Sequence, residues 1–188
     1  MLLESLGLCF TTVKPTGVEN HDRELPPDEL VKLNSRIKAQ SVAAQQAVDA
    51  LILGADTIVF LDGKILGKPR DLDEAREMLL TLSGKRHDVY TGITLIQTAS
   101  DTMLTDYERT AVTFRSLSVS DIELYLQAVK PLDRAGAYTV EGIGSLLVER
   151  FEGCYYNVVG LPLVKLDQML RTMDANLFEL SDNNVGKR

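Results

Sequence analysis

With 188 residues, 45% of them hydrophobic and 25% charged, the chain is long enough for one α/β domain with a real core, and too ordinary in composition for a disordered, collagen-like or disulfide-scaffold protein. A formal charge of -7 and a pI near 4.9 disfavour non-specific nucleic-acid binding while leaving room for a small basic pocket. Two cysteines, Cys9 and Cys154, and two histidines, His21 and His87, show no metal-type spacing and fit a reducing, cytoplasmic compartment.

The first residues, "MLLESLGLCF", lack a basic n-region and do not read as a signal peptide. No apolar run approaches the roughly 20 residues that cross a bilayer. "MLLESLG" has the pattern of the last turns of an amphipathic helix stopped by Gly7, although no N-cap precedes it. "LCFTTV" (8–13) reads as a strand. Pro26, Pro27 and Asp28 introduce a helix running to about residue 48, since proline is accepted in a first turn. Leu51 to Leu61 is β-rich, and Asp62-Gly63 is a hairpin turn before "KIL". Asp71 and Glu74 resemble a capping box for the helix "LDEAREMLLTLSG", ended by Gly84.

Further on, "HDVYTGITLIQ" and "RTAVTFRSL" alternate like antiparallel strands. Ser120 is the expected cap of a short helix, "DIELYLQAV". "GSLLVER" reads as a strand and "LPLVKLDQMLRTM" as a last amphipathic helix. The polar tail after Asp174 is expected to fray. Residues 1–173 thus form one domain, with 174–188 as tail. Helices interleave with strands and hairpins, which predicts a mixed α/β sheet flanked by helices.

One carboxylate stands out. Asp56 lies inside "LILGADTIVFL", where an unpaired buried charge is costly. It is either an edge residue turned to water or a charge held for chemistry. Gly54 beside it permits close approach by a backbone or ligand. Lys68, between Gly67 and Pro69, sits on a stiff turn; it is either a solvated lysine or a charge with a fixed target. Glu19 lies in a loop, where solvation is the plain reading. Lys38 lies on the apolar side of its helix, where snorkelling would account for it. Two acids and two lysines also suit a divalent cation with phosphates. There is no GxxxxGK[ST], HExxH or GxSxG motif. "GIGS" is too short for a dinucleotide fingerprint. His87, at a strand start, is either a base or a locally packed residue.

"GADTIVFLDGKILGKPRDLDEAREMLLTLSGKRHDVYTGITL" and "DRAGAYTVEGIGSLLVERFEGCYYNVVGLPL" resemble the Maf family, the septum-formation-inhibitor-like nucleoside triphosphate pyrophosphatases. The resemblance runs from residue 1 to about 173. It implies an elongated mixed sheet in two lobes with a deep cleft, similar to inosine triphosphate pyrophosphatases. It implies hydrolysis of a nucleoside triphosphate between the α and β phosphates, with a divalent metal: Mg²⁺, or alternatively Mn²⁺ or Co²⁺. The family's functional positions fall on Glu19, Lys38, Asp56 and Lys68. Asp56 matches the proton acceptor and a metal ligand, Glu19 a second metal ligand, and Lys38 and Lys68 the phosphate-binding lysines. A homodimer is compatible with the resemblance.

Two departures matter. Family members begin with a strand and a Ser-x-Ser-Pro-Arg-Arg-like loop, whereas this sequence begins inside the following helix. The expectation is an exposed groove where that strand would pair, and either a misplaced start or a chain that binds nucleotide with impaired turnover. The base-selecting positions are also mixed. Thr57 fits the branch acting on dTTP and UTP, which has Gln in the segment "AGAYGIQG". Glu141 stands there instead and suggests the 7-methyl-GTP branch. An amide donates and accepts, which suits a uracil-type edge, while a carboxylate only accepts, which suits a guanine. "LSGKRHDVYTG" favours dTTP and UTP.

Overall fold

The computed structural model describes residues 2–185 except Arg23, Ala47 and Val48, with side chains to Ser181. Its centre is a sheet in the order β2-β1-β3-β4-β5. The strands are β1 (Leu51–Leu61), β2 (Lys64–Leu66), β3 (Arg86–Gln97), β4 (Thr102–Phe114) and β5 (Val148–Glu152). Each described pairing is antiparallel, so the sheet is not a purely parallel one, as expected, but no parallel pair mixes into it among the described residues. The Asp62-Gly63 turn closes β1 on β2, both residues having positive φ, as an Asp-Gly hairpin requires. β1 pairs with β3 from Leu51 to Phe60 but with β2 only from Val59 to Leu61. Its other edge from 51 to 58 therefore carries no strand among the described residues.

The period-2 alternation of β1 and β3 separates two faces. Even positions face helix α2 (Pro27–Ala43). That helix lies unusually close, because a Cβ on Gly54 would stand 2.5 Å from the Ser35 carbonyl oxygen and one on Gly92 would overlap the backbone of Val31. Odd positions face two separate apolar clusters. Val59, Leu61 and Val89 join Phe114 with α3 (Leu72–Leu82) and α4 (Val119–Val129). Ile93 and Leu95 join α6 (Leu163–Arg171), with α1 (Leu2–Ser5) packed against it. Between the clusters lies a polar seam: Thr57 Oγ1 is 2.9 Å from Thr91 Oγ1, which donates to the Asn157 carbonyl at 3.0 Å. Asn157 belongs to α5 (Tyr155–Val159). The seam separates these two clusters on that face of the sheet.

Several elements depart from expectation. Residues 8–13 form no strand, because no neighbour offers them a ladder and Phe10 remains exposed. Helix α2 stops at Ala43; of the residues up to 48 expected in it, 47 and 48 lie outside those described. Ser118 rather than Ser120 caps α4: its hydroxyl accepts from the Asp121 amide (3.1 Å) while Asp121 accepts from the Ser118 amide (2.9 Å), a reciprocal capping box. Of the expected "GSLLVER" strand only 148–150 is extended, as the start of β5, because Gly142–Leu147 winds as a 3-10 turn packed on Thr139. The segment after Asp174 carries α7 (Leu177–Val185). Asp167 accepts from the Leu177 amide (2.8 Å) and Asn176 caps the Glu179 amide (2.9 Å).

Of the readings open for His87, the structure bears out local packing near the start of β3. His87 is buried in the larger cluster between Phe114 and Tyr138, with Nε2 2.8 Å from the Tyr138 hydroxyl. Burial pushes its imidazole down to about 4, against a smaller opposing pull from Asp88. Burial likewise pushes the Tyr138 phenol well above its ordinary range.

Candidate active site

Asp56 occupies an even position of β1, so its side chain points at α2 rather than to water, and the residue is 8% exposed. Two α2 residues one turn apart meet it. Asn34 Nδ2 donates to Oδ2 at 3.2 Å, and Lys38 Nζ donates to Oδ1 at 2.6 Å. Spacing i, i+4 brings both side chains to one helix face, and Gly54 and Gly92 bring that face within reach. Asn34 is held in turn by Asn20: its Nδ2 donates to the Asn20 carbonyl (3.0 Å) and its Oδ1 accepts from the Asn20 amide (2.7 Å). That clamp fixes the loop carrying Glu19, whose Oε1 lies 3.3 Å from Lys38 Nζ. Lys38 therefore stands between two carboxylates and also donates to the Ala55 carbonyl at 3.3 Å.

This cluster opens on a cleft of about 280 Å³ lined by Lys38, Asp56, Thr57, Lys68, Arg134 and Tyr138 among others. A neighbouring hollow of about 260 Å³ is lined by Glu19, Asn34, Asp56, Thr57 and Lys68. Asp56, Thr57 and Lys68 border both hollows. Lys68 is exposed and makes no ion pair among the described residues. Thr57 sits on the opposite face of β1 from Asp56, held by Thr91, and faces Gly160 in its left-handed conformation (φ 114°).

The sequence-predicted residues thus divide. Glu19, Lys38 and Asp56 form one cluster, and Lys68 and Thr57 line the cleft beside it. Glu141 does not: it borders a larger adjoining cavity of about 600 Å³ with Leu2, Phe10, Arg134 and Leu161. Asn34, Asn20 and Arg134 were missed. Asn34 had a signal, since asparagine is a poor helix-interior residue and this one stands one turn before Lys38. The described residues contain no group of three or more His, Cys, Asp or Glu side chains arranged for a metal. The donors on hand are the Glu19 and Asp56 carboxylates, which already share one cation, the Lys38 ammonium.

The arrangement can hold a water against a buried carboxylate and present cations to an anion in the cleft. Several known proteins are similar to this chain over most of its length. A protein from Moorella thermoacetica is 47% identical over 178 residues, 94% of this chain and 91% of its own. One from Caldicellulosiruptor saccharolyticus is 42% identical over 181 residues, covering 95% and 91%. One from Thermosipho melanesiensis is 46% identical over 169 residues, covering 90% and 89%. All three bear the name dTTP/UTP pyrophosphatase. No described helix is long and apolar enough to cross a membrane. The family model described as Maf-like protein matches residues 1–173, and the chain belongs to that family.

Proposed function

We propose that this chain hydrolyses dTTP and UTP between the α and β phosphates, releasing the nucleoside monophosphate and pyrophosphate. The observation that carries the reading is the placement of Asp56, buried, clamped by Asn34 and Lys38, and bordering the same cleft as Lys68. The choice of pyrimidine triphosphates rests on the relatives named above.

In the reaction a water oxygen bonds to the α-phosphorus while its bond to the bridging oxygen of the β-phosphate breaks. Asp56 accepts the water proton. Asn34 and Lys38 hold the carboxylate oriented, so no reorganisation is needed at the moment of transfer. Lys68 offsets the charge that develops on the departing pyrophosphate, and Lys38 offsets charge on the phosphate chain. Glu19 and Asp56 are hard oxygen donors of the kind a Mg²⁺-class cation accepts alongside water and substrate oxygens. Such a cation, when bound, supplies Lewis-acid polarisation of the phosphate.

A second reading has its own observation. Glu141 offers an acceptor-only carboxylate beside the larger cavity, which suits the donor edge of 7-methyl-guanine. Pyrophosphate release measured with Mg²⁺ against dTTP, UTP, CTP, GTP and 7-methyl-GTP tests both. Release from dTTP and UTP that disappears in Asp56→Asn supports the main reading. Preference for 7-methyl-GTP favours the second, and binding without release from any triphosphate leaves a nucleotide-binding protein.

A further inference from the structure

Among the described residues, Arg134 is the one charged residue that lines both the cleft holding Asp56 and the larger cavity holding Glu141. Its ion pair is slight: Nε lies 3.6 Å from Oδ1 of the adjacent Asp133, and both side chains are about half exposed or more. An exposed pair of that kind holds a guanidinium weakly. Lys38 is held between Asp56 and Glu19, which leaves Lys68 and Arg134, among the described residues, as the cleft cations that no buried carboxylate holds.

The backbone presets where these two stand. The Gly136 amide donates to the Gly67 carbonyl at 3.0 Å, tying the turn after Arg134 to the residue before Lys68. Gly136 has φ 66° and packs on Val59, where an added Cβ would approach to 2.9 Å. Tyr138, two residues on, is anchored in the core by His87. The Arg134 turn is therefore a rigid platform facing Lys68, and a rigid platform lowers the ordering cost of binding.

We infer that Arg134 binds the phosphate that stays on the nucleoside, the α-phosphate, while Lys68 serves the departing pyrophosphate. Arg134 stands at the junction with the roomier, apolar-walled cavity, the side where a nucleoside fits, and its planar fork suits bidentate contact with a phosphate. The inference rests on the proposed pyrophosphatase reading.

Titration calorimetry with dTMP and with pyrophosphate, each in Mg²⁺ buffer, separates the roles without relying on turnover. Arg134→Gln is expected to weaken dTMP binding at least about tenfold, the effect of one lost charge-assisted contact, and to change pyrophosphate binding by less than about twofold. Lys68→Gln should show the reverse pattern. Arg134→Lys should recover part of the dTMP affinity, and it serves as the probe if the glutamine variant melts early. Unchanged dTMP binding in Arg134→Gln, or an equal loss of pyrophosphate, overturns the assignment for Arg134 alone. A wild-type chain that binds neither ligand removes the nucleotide reading and this inference together.

Discussion

Lys38 and Asp56, 18 positions apart in sequence, meet at 2.6 Å with both side chains largely buried. Breaking one half of such a pair leaves the other charge buried without compensation, a larger loss than the pair's net contribution. Asp56→Asn should lower kcat by about 10²–10⁴-fold, the range for a lost general base, while the protein stays folded. Lys38→Met should lower stability as well as rate. In a double-mutant cycle by chemical denaturation, Asp56→Asn with Lys38→Met should show a coupling of about 1–3 kcal/mol. Additive effects would mean the pair does not act as a unit.

Gly54 makes this meeting possible. In Gly54→Ala the new methyl would stand 2.5 Å from the Ser35 carbonyl oxygen and 2.9 Å from the Ala39 Cβ, so α2 must move off the sheet. We expect a loss of about 1–3 kcal/mol of stability and a fall in rate, since the same shift carries Asn34 and Lys38 away from Asp56. A variant with wild-type melting temperature and kcat would contradict this.

His87 sets an acid limit on stability. Its imidazole is held down to about 4 by burial, below the ordinary value near 6.5, so the unfolded chain takes up its proton first. The native state's advantage is full above about pH 6.5 and drains away as the pH falls toward 4, amounting to about 3 kcal/mol across that window. His87→Phe should flatten the stability curve between pH 6.5 and 4 relative to wild type, measured by denaturant midpoints. A parallel curve would show that His87 does not titrate there.

Glu141 borders the cavity proposed for the nucleoside. Glu141→Gln restores a group that both donates and accepts. It should raise kcat/KM for dTTP and UTP relative to 7-methyl-GTP by about tenfold, a scale consistent with one repaired polar contact. An unchanged ratio in competition assays would place base selection elsewhere.

Much of this protein was legible in one dimension. The β-rich run Leu51–Leu61 and the Asp-Gly turn are local signals, and both appear as read; the expected Asp71–Glu74 box forms by half, since Asp71 caps the Glu74 amide while the Glu74 carboxylate accepts from Arg70. Asp56 announced itself because a carboxylate inside an apolar strand is costly without a partner. The polar tail hid α7, since its ties run to Asp167, distant in the chain. Ser120 and Ser118 compete for one cap on local grounds, and only the Asp121 geometry chooses Ser118.

The sequence by itself determined the residue types, the strand carrying the key acid and the family resemblance. Tertiary structure alone decided who meets whom. It brought Asn34 to Asp56 through the close approach that Gly54 and Gly92 permit. It placed Arg134 between two cavities through the Gly136–Gly67 hydrogen bond, and it sent His87 into the core. The reason is physical: spacing along the chain constrains neighbours within a turn or a hairpin, whereas contacts between a helix, a sheet and a loop depend on how closely the backbones pack.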